Sequence, residues 1–356
     1  MAHHEQDDTT VRVTPVACWP AIWWLVIAIV LAASAAWEWR MRGLGLIAGD
    51  LDDSKSNWSV ERRKLEAGHH QGVVILGSSR ILFDTDLEVW KEMTGRRPLQ
   101  LAVPGMSGLP FLTDVADNTD FGGLVVIDLT ETFFRERGRV NPEFAGVLDE
   151  WNEEGPAKRF GHRLGQSLSR HLAFLDDQYT LAKFIEQLDI PNRDQIRDPY
   201  LSVWKLSETY DDRQTFLWRE IERNERLRDH AIRVWQSRTL PPPADEEIAV
   251  VCVRAREATA KIQARGGEVV FVRAPSRGTY YERELRNMPR VATWDRLLRE
   301  TGAFGIHFDD YPDMQGLDLP EMSHLSRDSA TRFTRAYVGV LRDRYVELRS
   351  LATPRS

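Results

Sequence analysis

The run Val73-Val74-Ile75-Leu76 ends in Gly77-Ser78-Ser79-Arg80, which sets two hydroxyls and a guanidinium at the carboxyl end of an apolar segment. A serine on such a turn can act as a nucleophile if nearby amides stabilise a developing oxyanion and a base takes its proton. The same spelling also fits an ordinary turn with serine as a helix N-cap. Far along the chain, Glu321-Met322-Ser323-His324-Leu325 puts a carboxylate three residues before an imidazole, just ahead of an amphipathic stretch. One local element could then hold the histidine in the tautomer a base needs. A third group, Arg273-Ala274-Pro275-Ser276-Arg277 with Tyr280 and Tyr281, follows another apolar run. With Arg80 it offers guanidinium and phenol groups suited to carboxylates or sugar rings, although a solvated loop reads the same way. His69-His70 and Asp309-Asp310 lack a third convergent ligand, so neither a metal nor another cofactor is expected.

These residues need a frame. Residues 73–76, 124–127 and 269–272 are short apolar runs of the kind buried on both faces of a parallel sheet, with 99–103 and 306–308 as weaker members. Helical periodicity separates them over residues 86–93 and 248–264, and a further helix follows over residues 328–348. In the second of these, Ile248, Val251, Cys252, Ala255, Ala258 and Ile262 recur at three and four. Alternating strands and helices predict an α/β domain with a doubly wound parallel sheet over residues 71–350. Such sheets bind ligands beyond the carboxyl ends of their strands, so all the loops named above belong to one crevice. Residues 135–245 break the rhythm and read as a mostly helical insertion without a strand.

At the other end, residues 16–37 run 22 positions without a charge, enough to cross a bilayer as a helix. Trp19, Trp23 and Trp24 flank one side and Trp37 and Trp39 the other, as interfacial anchors do. The expected layout is a tail over 1–15, a single transmembrane anchor over 16–39 and a polar stalk over 40–70. A cleaved signal peptide is the alternative, since Ala33-Ser34-Ala35 resembles a cleavage site. Flanking charges, Arg12 before the run and Arg40 and Arg42 after it, differ by one and decide little about orientation. The net charge of −7 argues against a nucleic-acid partner, which would need a basic face. Two cysteines, Cys18 and Cys252, make no disulfide framework.

Taken together, the segments resemble the SGNH/GDSL hydrolase superfamily. Residues 74–80, Val-Ile-Leu-Gly-Ser-Ser-Arg, are similar to its first block, whose nucleophile corresponds to Ser79. Leu101-Ala102-Val103-Pro104-Gly105-Met106-Ser107 resembles the second block, whose glycine amide, here Gly105, joins the oxyanion hole. Glu321–Leu325 resembles the last block, with His324 as base and Glu321 in place of the usual aspartate. The resemblance implies a flavodoxin-like SGNH fold and acyl-serine chemistry, by hydrolysis or O-acyl transfer. Its membrane-anchored, cell-envelope members include relatives of the alginate O-acetyltransferases. They imply an extracytoplasmic, periplasmic domain, an acylated glycan or small ester as substrate, and a membrane acyltransferase as partner. One departure stands out: the third block carries an asparagine that completes the oxyanion hole, whereas this chain reads Asp128-Leu129-Thr130-Glu131-Thr132. Thr130 or Thr132 could donate instead, while Glu131 would oppose an oxyanion if turned inward. A non-catalytic glycan-binding or assembly role is therefore the second expectation.

Overall fold

The computed structural model describes residues 18–66, 72–135, 144–180, 183, 185, 203–237, 241–345 and 348. Five parallel strands form its centre: β1 (Val73–Leu76), β2 (Leu99–Gln100), β3 (Leu124–Asp128), β6 (Glu268–Arg273) and β7 (Phe304–His307), in the order β2-β1-β3-β6-β7. Side chains alternate across a strand, and the apolar runs split accordingly. Val74, Leu76, Val125, Ile127, Val269 and Phe271 enter one core, while Val73, Ile75, Leu124, Val126, Val270 and Val272 enter the other. Runs that are apolar at every position are thus required by a sheet covered on both sides.

The first core is closed by α2 (Lys55–Glu66), α5 (Leu109–Asn118), α10 (Asp245–Gln263) and α12 (Trp294–Thr301). The six residues that predicted α10 by their spacing are all buried there. The second core is closed by α3 (Ser79–Asp84), α4 (Leu87–Thr94) and α13 (Arg327–Arg344). Asp86 caps α4 by accepting from the amides of Glu88 and Val89.

Two expectations are corrected. The segment read as a polar stalk is packed into the domain. Trp58 of α2 is fully buried and donates its indole N–H to the Leu101 carbonyl at 3.1 Å. Arg62 is fully buried against Asp114, at 2.7 Å. Asp53 pairs with Arg213, and Asp50 with Lys205. Its charges had suggested solvent, but most meet a partner far away in sequence. His69 and His70 lie outside the described residues. The insertion, read as strandless, contains an antiparallel hairpin, β4 (Ser207–Thr209) with β5 (Thr215–Leu217). Three-residue strands with a buried Glu208 give no apolar run to detect; that carboxylate is neutralised by Arg327 at 2.5 Å.

Among its described residues the insertion otherwise has α6 (Val147–Glu153), α7 (Pro156–Ser169), α8 (Arg219–Arg223), α9 (Glu225–Ser237) and short 3-10 turns, including Ala173–Leu175. Ahead of everything stands α1 (Trp19–Arg42), 24 residues, long and apolar enough to cross a membrane and with its most apolar stretch unburied. Its last turn is fixed to the insertion: the Glu38 carboxylate accepts from the amides of Ala173 and Phe174 at 3.1 and 3.0 Å. Met41 and Leu46 join Ala173, Tyr179, Leu217, Trp218 and Ile221 in a third, smaller core.

Candidate active site

The β1 turn is built around Gly77. Its φ of 136° lies where a side chain is strained, and a Cβ there would sit 2.6 Å from the Cβ of Asp128. With Gly77 in place the chain turns sharply into α3. Ser78 caps that helix and donates its hydroxyl to Asp128 Oδ2 at 2.7 Å, so it faces the sheet. Burial pushes the Asp128 carboxyl up from its ordinary range, with Arg80 opposing. Ser79, the first helical residue, points the other way and is half-buried.

Ser79 Oγ lies 2.9 Å from His324 Nε2, although 245 residues separate them. On the far side of the ring, Nδ1 lies 3.0 Å from Glu321 Oε1. A carboxylate at Nδ1 accepts the hydrogen bond from that N–H, which keeps the proton on Nδ1 and leaves Nε2 as the acceptor facing the serine hydroxyl. The three groups therefore stand in the hydrogen-bond order that a nucleophile, a base and its orienter require. His324 is 1% exposed, with the Phe83 ring 4.5 Å and the Trp235 ring 5.9 Å from its own.

The sequence matches no family model, and no curated protein matches it.

Glu321 is fully buried, and an ionised carboxylate there must be saturated with donors. Its Oε1 also receives the amides of Ser323 and His324, and its Oε2 receives the indole N–H of Trp235. Trp235 comes from α9, so the insertion supplies part of the site. Nothing in the sequence connects an indole in that segment to a carboxylate 86 residues later. Asp84 is a second residue the sequence did not announce. It lies on the nucleophile's own helix and accepts from the Leu325 amide at 2.9 Å, tying α3 to the histidine loop. Burial holds its carboxyl well above the usual range. Between base and orienter, Met322 sits at φ 75°, a strained conformation for a side-chain-bearing residue. Its carbonyl accepts from the Arg277 amide at 3.0 Å.

Gly105 lies in a reverse turn closed by Met106 N to Val103 O at 3.2 Å, with Pro104 before it and φ 70° at the glycine, the type II pattern. Val103 N bonds Gly77 O at 2.9 Å, so this turn lies beside that of Ser79. The β3 loop reaches the same place. Thr132 donates to the Met106 carbonyl at 3.3 Å and accepts from Thr130 at 2.9 Å. Both threonine protons are therefore in use, and neither hydroxyl is a spare oxyanion donor in this arrangement. Glu131 is turned into donors of α11 (Gly278–Asn287): Arg283 at 3.3 Å and Asn287 at 3.0 Å.

The expected substrate-binding group divides. Arg80 and Arg273 are buried and share one counter-ion, Glu284 of α11, at 2.9 and 2.5 Å; Arg273 also bonds the Leu129 carbonyl. Burial would raise the Glu284 carboxyl, but Arg273, Arg80 and the Ser276 hydroxyl outweigh it and hold the pKa at about 2. Neither guanidinium is left to grip a substrate. Arg277 remains exposed at the start of α11. Tyr280 is half-buried, between the Arg283 and Arg80 guanidinium groups and edge-on to Trp235. Of the rejected metal candidates, Asp310 pairs with Arg290 and Asp309 accepts from Tyr281. A different acidic group, Asp52, Asp176 and Asp177, lies together with the Lys205 ammonium 2.5 Å from Asp176.

Proposed function

We propose that this chain is a membrane-anchored SGNH-type serine enzyme that cleaves or transfers acyl esters, on a doubly wound, flavodoxin-like framework. The observation that carries the reading is the relay Ser79 Oγ to His324 Nε2 to Glu321, at 2.9 and 3.0 Å. Ser79 Oγ attacks the ester carbonyl while His324 Nε2 takes its proton. The tetrahedral oxyanion is held by the Ser79 and Gly105 amides. Collapse breaks the bond to the alcohol, which leaves with the proton from His324. Water or an acceptor hydroxyl then attacks the acyl-serine, giving hydrolysis or transfer, and the proton passes back through His324 to Ser79.

The substrate class we favour is an O-acylated envelope glycan, handled on the extracytoplasmic side, with a membrane acyltransferase as partner. Arg277 and Tyr280, both joined to the catalytic loop through Met322 or Trp235, are the groups open to it. The test is labelling of the full chain by a fluorophosphonate, which reacts only with an activated serine. Labelling in the wild type and its loss in Ser79→Ala are expected; an unlabelled wild type overturns catalysis. One observation favours the second reading, a non-catalytic glycan-binding or assembly partner: the Thr130 and Thr132 protons are both committed where the family places an amide donor. An unlabelled chain that still retains acylated glycan would select that reading.

A further inference from the structure

Helices at the surface of a soluble domain turn their apolar stripe inward. α7 does the reverse. At about 100° per residue, Phe160, Leu164 and Leu168 lie along one side of the helix, and His162, Gln166 and Ser169 along the opposite side. The three polar residues are the half-buried ones, and no residue of the helix is fully buried. They face α2 and the segment before it: Gln166 Nε2 donates to Asn57 Oδ1 at 2.6 Å, and the Ser169 carbonyl accepts from Gly49 N at 2.9 Å. Phe160, Leu164 and Leu168 are left 70%, 54% and 49% exposed. The helix contains Lys158, Arg159, His162 and Arg163 and no acidic residue.

The position of α7 says what covers this stripe. Ser169 ends the helix, and four residues later Ala173 donates its amide to Glu38, inside the last turn of α1. Gly49, bonded to Ser169, follows α1 closely in the chain. The carboxyl end of α7 is thus fastened beside the carboxyl end of α1, at the level marked by exposed Trp37 and Trp39. We propose that α7 lies in the interface of the bilayer that α1 crosses, with Phe160, Leu164 and Leu168 among the acyl chains and its basic residues at the phosphate level. This inference rests on α1 being a retained membrane-spanning helix, part of the reading above. The chain then has two contacts with one membrane, which fixes the tilt of the domain over the lipid.

The test uses the full chain with Cys18→Ser, reconstituted in bilayer nanodiscs of mixed phosphatidylcholine and phosphatidylglycerol. Phe160→Cys, Leu164→Cys and Leu168→Cys each carry an environment-sensitive fluorophore, with lipids spin-labelled near the top of the acyl chain as quencher. Ile29→Cys within α1 reports the anchor, and Val291→Cys, 75% exposed on another element, reports solvent. Buried Cys252 stays unlabelled in the folded chain. All three α7 positions should be quenched at least about threefold more than Val291, as for an interfacial helix. Quenching at Ile29 but only the Val291 level on α7 overturns the inference and leaves the anchor standing. Loss of quenching at Ile29 instead overturns the anchor, and this inference with it. Shielding of the α7 positions from both lipid and aqueous quenchers, with cross-linking between copies, overturns it in favour of a second copy on the stripe.

Discussion

Ser78 and Ser79 are neighbours with opposite duties, and substituting each separates them. Ser79→Ala should abolish fluorophosphonate labelling and lower any esterase rate by about 10^4–10^6. Ser78→Ala should keep the nucleophile and its labelling. It deprives buried Asp128 of a donor and α3 of its cap, so a urea titration should show a loss of about 1–3 kcal/mol. Trp235→Phe tests the insertion's part in the relay. The ring stays while the indole donor to Glu321 disappears, and kcat should fall about 10–100-fold with KM little changed. An unchanged kcat would reduce Trp235 to packing. The meeting of Ser79, His324 and Glu321 was legible because the three sit on strand-end and helix-start turns, where the chain must break its periodicity. Arg80 and Arg273 were misread for a physical reason: their partner Glu284 is 204 residues from Arg80, and local spelling says nothing of it.

At the scale of elements, α11 locks two strand ends through one carboxylate. Glu284 sits between Arg80 after β1 and Arg273 at the end of β6, and it reaches Ser276 in the following loop. Its folded pKa of about 2 lies below the unfolded value of about 4.3, so its stabilisation is present above pH 4.3 and is lost as pH falls through 2. That difference corresponds to about 3 kcal/mol, and acid titration of the urea midpoint should show it. Glu284→Gln should flatten that part of the profile and cost about 3–5 kcal/mol at neutral pH, because two buried guanidinium groups lose the carboxylate that both contact. A similar test applies to α2. Trp58→Ala should cost about 3–5 kcal/mol if residues 55–66 belong to the folded unit, and almost nothing if they form a loose tether. Strands β1, β3 and β6 could be read from sequence because strands buried on both faces are spelled in continuous apolar residues, whereas β2 and β7, interrupted by Gln100 and by Gly305 and His307, gave weaker runs. The β4–β5 hairpin and the packing of α2 could not, since both rest on charges whose partners are distant.

For the whole molecule, α1 is long and apolar enough to cross a membrane, and one experiment reads the side on which the domain then lies. A carboxyl-terminal alkaline phosphatase fusion should be active if the domain lies outside the cytoplasm. An inactive fusion, with a cytoplasm-dependent reporter working in its place, would reverse the assignment and remove the envelope substrate. The apolar length of α1 was plain in the sequence, whereas its attachment through Glu38 was not, because a single acid near the end of an apolar run reads as ordinary flanking charge. The distance between the two halves of the relay has a further consequence, in the time the chain takes to be made. Ser79 leaves the ribosome 245 residues ahead of His324. At ~5–20 residues per second that interval lasts on the order of 10–50 s. Throughout it the nascent chain carries a hydroxyl with no base beside it. The histidine loop is held by Asp84 on one side, and α13, which follows directly, packs Phe333 and Tyr337 into the second core. The serine meets its imidazole only once residues 321–325 are in place, so a chain that stops short of them lacks that partner.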